Sequence, residues 1–272
     1  MKRVIIIGGG NMGLAIASGI SQNKLISKKN IVFIEKKPAR INYLKRRGFV
    51  ATSELAEAIA KNKTNIEAII LAIKPTDFNY LISQLNKSIS KSHLLISILA
   101  GVKIKTIESK VNKEQPIARV MPNTPCQIGK GISALTFNKN VKRKEKETVR
   151  NIFSAIGKTI ELNEDKFDLV TAVSGSGPAY FCYFIESVIA SCRKLGLNET
   201  LAKEFTTQTA IGTLLLLNKK GTNPEELRKA VTSPNGTTEA ALKVLEKQDF
   251  SKIVHSAIKA AMNRSIKLGE SK

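Results

Sequence analysis

The feature that most constrains the fold is a short apolar run that leads into a glycine-rich turn near the start of the 272-residue chain. Val4 to Ile7 is rich in β-branched residues, which predicts a buried strand, and "GGGNMG" follows it directly. Apolar residues then recur at helical spacing as far as Ile20, so the order is strand, turn, helix. Gly8, Gly10 and Gly13 fill a GxGxxG pattern in that turn, which is typical of a dinucleotide pyrophosphate site at a helix amino terminus.

Several later apolar runs indicate that the first half of the chain continues as an α/β domain. They are short, and helical patterns separate the earlier ones: "IVFIE", "EAIILAIKP", "HLLISILAG", "PIARVMPNTP", "GISALTF" and "KTIEL". Such runs predict buried strands of a doubly wound, Rossmann-like sheet. Ligands lie outside the carboxyl ends of the strands in these sheets, so Lys74–Pro75, Ala100–Gly101 and the "MPNTP" loop at 121–125 are predicted to line one crevice.

The residues that follow the second strand leave the choice between NAD and NADP open. Glu35 lies 22 residues after Gly13, close to the spacing at which an acid binds the adenosine ribose hydroxyls, and this favours NAD. Lys36, Lys37 and Arg40 come next and favour NADP, because cations pair with a ribose 2′-phosphate. The same cations are equally compatible with an ordinary solvated surface.

From Glu164 onward the pattern is helical, which predicts two domains, a dinucleotide-binding domain at 1–163 and an all-helical domain at 164–272. The segment "AYFCYFIESVIASCRKLG" is apolar nearly all round in its first half, and "TAIGTLLLL" also needs cover on every side. A second copy of the chain is a natural source of that cover. We therefore predict an obligate homo-oligomer rather than a self-contained helical bundle.

Two polar loops interrupt these helices, "VSGSGPAY" at 173–180 and "SPNGTTEAA" from 233. Their small residues bring backbone N–H groups and hydroxyls close to a ligand. Thr237 or Thr238 is predicted to cap the following helix, whose amino terminus would attract a carboxylate. Capping alone is the plainer interpretation of either loop.

Cysteine and histidine usage gives no indication of a metal site, a disulfide or a histidine relay. Cys126, Cys182 and Cys192 lack CxxC spacing, and His93 and His255 are far apart in sequence. The four apolar residues before the first glycines are too few for a signal peptide or a membrane span. We therefore expect a cytoplasmic protein without a membrane partner.

The net charge of +22 raises the hypothesis of nucleic-acid binding. The excess lies in residues 1–163, which hold 29 Lys and Arg against 10 Asp and Glu. Most of these residues are lysines without interleaved aromatic side chains, which fits a basic surface better than a platform for stacked bases. We expect no specific nucleic-acid partner, although anionic ligands in general would be attracted.

Taken together, the motifs resemble those of the pyrroline-5-carboxylate reductase family. "GGGNMG", "AIKP" at 72–75, "MPNTP" at 121–125, "VSGSGPAY" at 173–180 and "SPNGTT" at 233–238 follow in family order and spacing, and the last three are the most specific. The resemblance implies a Rossmann-like domain followed by an all-α domain that interlocks with that of another subunit, in assemblies of such dimers. It also implies reduction of 1-pyrroline-5-carboxylate to L-proline, the last step of proline biosynthesis, by hydride transfer from NADPH or NADH between the two domains.

The motifs and the resemblance together predict the site residues. Those predicted to bind the cofactor are Gly8, Gly10, Asn11, Met12, Gly13, Glu35, Lys36, Ala72, Lys74, Pro75, Ala100, Gly101 and Asn123. Those predicted to bind the substrate are Ser176, Gly177, Ser233, Asn235, Gly236, Thr237 and Thr238, with Thr238 as the catalytic residue close to the ring nitrogen. The family usually has glycine at Asn235 and an acid at Lys229, and often a small or polar residue at Glu35.

Two other functions remain as alternatives. A β-hydroxyacid-type dehydrogenase shares the "GGGNMG" turn and a helical second half, but it needs a catalytic lysine near a glycine-rich motif, and neither Lys166 nor Lys194 is adjacent to "SGSGP". A non-enzymatic nucleotide- or nucleic-acid-binding module would explain the charge. It predicts tight binding to DNA or RNA at physiological salt without any reductase turnover.

Overall fold

A computed structural model describes residues 3–60, 66–219 and 221–270 of the chain. By contacts within the chain it divides into two compact units, one of Met1–Ser176 with Ala261–Lys272 and one of Gly177–Ala260. Residues 164–176 and the end of the last helix thus group with the sheet. The domain boundary between residues 163 and 164 remains a prediction.

The first unit is built on one sheet with the strand order β3-β2-β1-β4-β5-β6-β7-β8. The strands are β1 Arg3–Ile7, β2 Ile31–Ile34, β3 Val50–Thr52, β4 Ile66–Leu71, β5 Leu95–Ser97, β6 Ile117–Met121, β7 Gly131–Phe137 and β8 Gly157–Glu161. Their pairings are parallel except that of β6 with β7. The three-residue strand β3 was not predicted from the sequence.

Helices cover both faces of this sheet. They are α1 Asn11–Gln22, α2 Pro38–Arg46, α3 Leu55–Ala60, α4 Phe78–Leu85, α5 Ile104–Glu108, α6 Arg143–Ser154 and α7 Phe167–Val170. Alternate residues of β1 point to opposite faces, so Ile6 joins a core with Ile16 of α1, whereas Ile5 joins a second core with Ile82 of α4. The two cores confirm the predicted doubly wound architecture.

Strand β7 runs antiparallel to β6. Its continuous apolar run is typical of the buried strands of a parallel sheet, so the sequence alone does not indicate this direction. The connection between Met121 and Gly131 has nine residues and contains only a short 3-10 helix, Thr124–Ile128. A parallel return needs a crossover of about a dozen residues or more. The connection is therefore too short for one, and the chain turns back directly.

The second unit consists of helices, which confirms the predicted fold class of a Rossmann-like sheet followed by an all-α part. Its helices are α8 Gly177–Lys194, α9 Glu199–Leu217, α10 Pro224–Ala230, α11 Thr237–Lys247 and the first part of α12 Phe250–Glu270. Large apolar side chains of α8 and α9 are exposed in the single chain, including Phe181 at 61%, Tyr183 at 73% and Phe205 at 65%. Within the described ranges, no helix is both long enough and apolar enough to cross a membrane.

Candidate active site

A cavity of about 690 Å³ lies at the carboxyl ends of β1, β2 and β4. This is the edge at which a doubly wound sheet binds its ligands. Among the predicted cofactor residues, its lining includes Gly8, Gly10, Glu35, Lys36, Ala72 and Lys74. Pro75 begins the short 3-10 helix that follows Lys74, while Asn11, Met12 and Gly13 form the first turn of α1.

The glycines of the turn between β1 and α1 have different structural roles. Gly8 has a φ of +107°, and a Cβ there would lie 2.3 Å from the carbonyl oxygen of Ala72. A Cβ at Gly13 would lie 2.3 Å from the carbonyl oxygen of Gly8, so this glycine lets α1 pack against the turn. A Cβ at Gly10 would meet nothing within 4 Å. Gly10 is therefore not required by packing, and it leaves the turn open for a close ligand.

The Glu35 carboxylate binds three backbone N–H groups. Its Oε2 accepts from the Gly9 nitrogen at 2.9 Å, and its Oε1 accepts from the nitrogens of Lys36 at 2.9 Å and Lys37 at 3.0 Å. The Arg40 Nε donates to the Gly9 carbonyl oxygen, so the same glycine is held from both sides. Glu35 and Arg40 thus join the end of β2 to the glycine-rich turn.

Cations dominate the charged groups around this cavity. Lys36, Lys37 and Arg40 all line it. The Lys36 Nζ lies 4.2 Å from the centroid of the Tyr80 ring, and the Arg40 guanidinium carbon lies 4.5 Å from that of Tyr43. The Arg40 Nη2 is buried and has no hydrogen-bond partner among the described residues.

The other two predicted cofactor segments, at the ends of β5 and β6, are not part of this cavity's lining. Gly101 has a φ of +75°, and a Cβ on it would lie 3.0 Å from the backbone nitrogen of Gly269 in the last helix. The Asn123 Oδ1 accepts from the Ile132 nitrogen at 3.0 Å. The Asn123 side chain therefore stabilises the start of β7, whatever else it contacts.

The "SPNGTT" loop leads into α11 in the second unit. Asn235 has a φ of +58°, the left-handed region that glycine adopts most easily and that asparagine tolerates. Its nitrogen donates to the Glu239 Oε2 at 3.1 Å. The hydrogen bond from the Lys243 side chain is the main cause that lowers the pKa of Glu239, and the Asn235 N–H adds to it.

The cap predicted for α11 is wrong in its position. Gly236 is the N-cap residue, Thr237 is the first residue of the helix, and no side chain caps it. Glycine without a side-chain cap leaves the first-turn N–H groups of Thr237, Thr238 and Glu239 without a protein acceptor from the cap residue. Lys229, where the family usually has an acid, lies in α10 and pairs with Glu225 at 2.8 Å on the surface.

The "SGSGP" segment includes the end of the turn before α8 and the first two residues of that helix. Residues Thr171–Gly175 adopt a π-helical turn, and the Ser176 nitrogen donates to the Thr171 carbonyl oxygen at 2.9 Å. A Cβ at Gly175 would lie 2.7 Å from the Met121 Cε, so this turn packs against the start of the "MPNTP" loop. The Ser174 Oγ is buried without a partner among the described residues. Ser176 ends the first unit and Gly177 begins the second.

Several cavity residues are absent from the predicted site. Besides Lys37 and Arg40, they include Ser53, Leu55, Thr76, Asp77, Leu81 and Gln84. Ser53 follows β3, and that strand was not recognised in the sequence. Leu55, Thr76 and Asp77 lie in the segments just after strand ends, so the rule that ligands lie beyond the carboxyl ends of strands would have identified them. Leu81 and Gln84 lie further along α4.

Comparison with known proteins agrees with this geometry. Residues 164–268 match the family model for pyrroline-5-carboxylate reductase dimerisation, and residues 3–101 match that for NADP oxidoreductase, coenzyme F420-dependent. The chain is 34% identical to the pyrroline-5-carboxylate reductase of Mycobacterium tuberculosis, in an alignment that covers 98% of this chain and 97% of that one. It is 36% identical to the pyrroline-5-carboxylate reductase of Synechocystis, with 97% of each chain covered. It is also similar to the crystal structure of Plasmodium falciparum pyrroline carboxylate reductase with NADP bound, at 33% identity, 98% coverage of each chain and a TM-score of 0.87. The chain belongs to the pyrroline-5-carboxylate reductase family.

Proposed function

We propose that this protein reduces 1-pyrroline-5-carboxylate to L-proline with NADPH or NADH as the hydride donor. The observation that carries the proposal is the cavity beyond β1, β2 and β4, where Gly10 leaves the glycine-rich turn open to a ligand. The chain also matches reductases of this family over nearly its whole length. A cytoplasmic location is part of the proposal, and cell fractionation would test it.

The cofactor's pyrophosphate would lie against the turn Gly8–Gly13. No side chain caps α1, so the N–H groups of its first turn are available to an anion at the positive end of the helix dipole. A side chain at Gly10 would occupy the space above the turn. Ala72, Lys74 and Pro75 would border the ribose and the nicotinamide from the end of β4, with Ala100, Gly101 and Asn123 beyond them.

The substrate carboxylate would bind at the amino terminus of α11. This helix has eleven residues and begins after a glycine, so its first N–H groups, including that of Thr238, and the hydroxyls of Ser233 and Thr237 can act as donors together. Asn235, where the family usually has a glycine, has the left-handed backbone conformation that glycine adopts most easily. Ser176 and Gly177 would contribute to the substrate pocket from the turn before α8.

The chemistry requires no strong acid from the protein. The reduced nicotinamide supplies a hydride to C5 of the substrate imine, which is weakly basic and can enter already protonated. Aligning two reactants contributes about 7 to 11 kcal/mol, whereas a general acid contributes about 10²- to 10⁴-fold in rate. Positioning is the larger contribution, and the Thr238 hydroxyl would hydrogen-bond the nitrogen as it becomes an amine.

The role of Thr238 can be tested with two substitutions. We expect Thr238→Ala to lower kcat/KM by about 2- to 12-fold, because one hydrogen bond to the substrate nitrogen, worth about 0.5 to 1.5 kcal/mol, is lost. Thr238→Ser keeps the hydroxyl and should retain most of the activity. Equal kcat/KM values for the wild type and Thr238→Ala would remove this residue from the mechanism.

A β-hydroxyacid dehydrogenase is less compatible with the lysines of this chain. The Lys166 Nζ pairs with Asp165 at 2.9 Å, and the Lys166 side chain is 62% exposed. Lys194 is the last residue of α8, whose first residue is Gly177, so about 25 Å of helix separates them at 1.5 Å per residue. Lys166 is thus an exposed, ion-paired lysine, and Lys194 is too far along α8 to act as a base beside the first residue of that helix.

The apolar side chains of α8 and α9 would be covered by a second subunit, in agreement with the dimerisation model that matches this region. Burial of a large apolar side chain contributes roughly 1.5 to 3 kcal/mol, so the exposed Phe181, Tyr183 and Phe205 favour a stable dimer. Further assembly of dimers is part of the proposal. Light scattering coupled to size exclusion would give the subunit number, and a monomer at micromolar concentration would contradict it.

The reaction itself is tested by initial rates with 1-pyrroline-5-carboxylate and each reduced cofactor. We expect cofactor oxidation and formation of L-proline in equal amounts. Oxidation of β-hydroxyacids, with no turnover of the imine, would favour the dehydrogenase alternative. Binding of DNA or RNA at physiological salt, with no turnover, would favour the non-enzymatic one.

A further inference from the structure

Arg119 is a buried cation of β6 that does not line the cofactor cavity. Its side chain is only 3% exposed, and its Nη1 donates to the Glu164 Oε1 at 2.8 Å. The guanidinium carbon lies 4.8 Å from the centroid of the Phe167 ring, which is fully buried. A guanidinium buried to this extent requires a counterion. The Glu164 carboxylate therefore ties the end of β6 to the segment that follows β8.

The same carboxylate oxygen also holds the segment that leaves β5. The Ile104 nitrogen donates to the Glu164 Oε1 at 2.8 Å. Ile104 is the first residue of α5, so its N–H has no acceptor within the helix, and the side chain of Lys103 does not cap it. Glu164, which is 60 residues away, supplies that acceptor. This hydrogen bond fixes the chain three residues after Gly101.

A third segment is joined through Phe167, the ring beneath the Arg119 guanidinium. Its carbonyl oxygen accepts from the Thr171 Oγ1 at 2.7 Å. Thr171 begins the π-helical turn that ends at Gly175, and a Cβ on Gly175 would lie 2.7 Å from the Met121 Cε. The ion pair of β6 thus connects the ends of β5 and β6 with the turn that precedes α8.

These three segments are the ones that would border the nicotinamide and the imine in the proposed reductase. Hydride transfer depends on the alignment of the two reacting carbons, and a misplacement of about 1 Å can lower the rate about 10²-fold. We infer that Glu164 is a positioning residue for hydride transfer, acting through Arg119 and the Ile104 N–H. The inference rests on the proposed function, because it requires the nicotinamide to lie beside these segments.

A substitution at Ile104 can remove one of these hydrogen bonds alone. Proline is tolerated at the first position of a helix, and Lys103, with a φ of −78° and a ψ of 155°, already has the extended conformation required before a proline. Ile104→Pro therefore removes the N–H donor and leaves the pair of Arg119 and Glu164 in place. Ile104→Ala is the matched control, because it also shortens this buried side chain but keeps the N–H.

The test compares the steady-state turnover of 1-pyrroline-5-carboxylate by the two full-length variants, each below its own Tm. We expect kcat of Ile104→Pro to be at least about fivefold lower than that of Ile104→Ala, and the Kd for the cofactor to agree within about twofold. Deuterium at the transferred position of the reduced nicotinamide should lower kcat more in Ile104→Pro, because hydride transfer then limits turnover. Equal kcat values and equal isotope effects would overturn the inference.

Glu164→Gln tests the carboxylate itself, since an amide still accepts a hydrogen bond but carries no charge for Arg119. We expect kcat to fall about tenfold or more while the cofactor Kd changes little. Glu161→Gln is the control, because Glu161 pairs with Lys146 and Arg150 at the surface and is 39% exposed. Its kcat should stay within about twofold of the wild type. An equal fall of kcat in both variants would overturn the inference.

The outcomes separate positioning from stability and from the reaction itself. A loss of kcat that disappears when rates are expressed per folded molecule would overturn the inference. The comparison at Glu164 decides if Ile104→Pro does not fold, and the comparison at Ile104 decides if Glu164→Gln does not. A wild type that does not turn over the imine would overturn the proposed function as well, whereas equal kcat values beside an active wild type overturn the inference alone.

Discussion

Gly10 and Gly13 belong to one sequence motif, yet we expect their replacement by alanine to have opposite consequences. A methyl group at Gly10 would meet no atom within 4 Å, and the residue's φ of −67° and ψ of −172° are open to alanine. We therefore expect the free energy of unfolding of Gly10→Ala to stay within about 0.5 kcal/mol of the wild type. The methyl group would instead lie where the pyrophosphate approaches the turn.

Gly13→Ala should affect folding first. Its Cβ would lie 2.3 Å from the Gly8 carbonyl oxygen and 3.2 Å from the Ile6 Cγ2, so α1 must move by roughly 1 Å to restore an ordinary contact. Overpacking of this kind costs about 1 to 3 kcal/mol. For a unit of this size the Tm should fall by about 2 to 12 °C.

Thermal unfolding and calorimetric titration with NADP⁺ measure the two effects separately. We expect Gly10→Ala to keep the wild-type Tm and to bind NADP⁺ at least about tenfold more weakly, while a 1 Å displacement of bound cofactor would lower kcat/KM by about 10²-fold. Unchanged affinity in Gly10→Ala would show that the phosphates do not approach this turn. An unchanged Tm in Gly13→Ala would refute the packing argument.

Substitutions at three further positions test the rest of the structure. Asn235→Gly should leave Tm and the KM for the imine nearly unchanged, whereas Asn235→Val, forced to a φ of +58°, should cost about 1 to 2 kcal/mol and raise KM. The pKa of Glu239 is lowered, and its carboxylate accepts a hydrogen bond from the Asn235 N–H. That hydrogen bond is fully present above the ordinary glutamate pKa and is lost as pH falls through the lowered pKa of Glu239. Acidic pH should therefore raise the KM for the imine in the wild type but not in Glu239→Gln. Glu164→Ala removes the carboxylate that pairs at 2.8 Å with Arg119, a residue that is only 2% exposed. Denaturant unfolding should then show that the free energy of unfolding falls by roughly 3 kcal/mol, and a fall below about 1 kcal/mol would contradict this account.

The sheet could be predicted from the sequence where its determinants are local. Strand β1 and the turn after it were recognisable from the sequence because their determinants lie close together. The close contacts of Gly8 and Gly13 are with β1, with the turn itself and with the end of the neighbouring strand at Ala72. β3 was missed because three residues are too few to show an alternating pattern. The direction of β7 was missed because an apolar run is the same in either direction, and the length of the preceding connection decides it.

The role of Glu35 was beyond the reach of the sequence for a different reason. The spacing from Gly13 identified an acid at the end of β2, but the identity of its hydrogen-bond partners depends on tertiary structure, since Gly9 is 26 residues away. The pattern alone therefore gave an argument for NAD and another for NADP. The structure shows a further role, because the Glu35 carboxylate accepts three backbone N–H groups and so holds the glycine-rich turn.

Glu35 and Asn235 both differ from what the family usually has, and in both cases the difference is explained by the backbone. Asn235 has a left-handed conformation that glycine adopts easily, and the N–H groups at the start of α11 that would bind the carboxylate in our proposal have no side-chain cap. Glu35 contributes a carboxylate that holds the turn from within and leaves Arg40 and the lysines as the cavity's cations. A binding site made largely of N–H groups depends on backbone conformation more than on side-chain identity. Substitutions that preserve that conformation should therefore preserve activity, even when they replace a residue that the family usually retains.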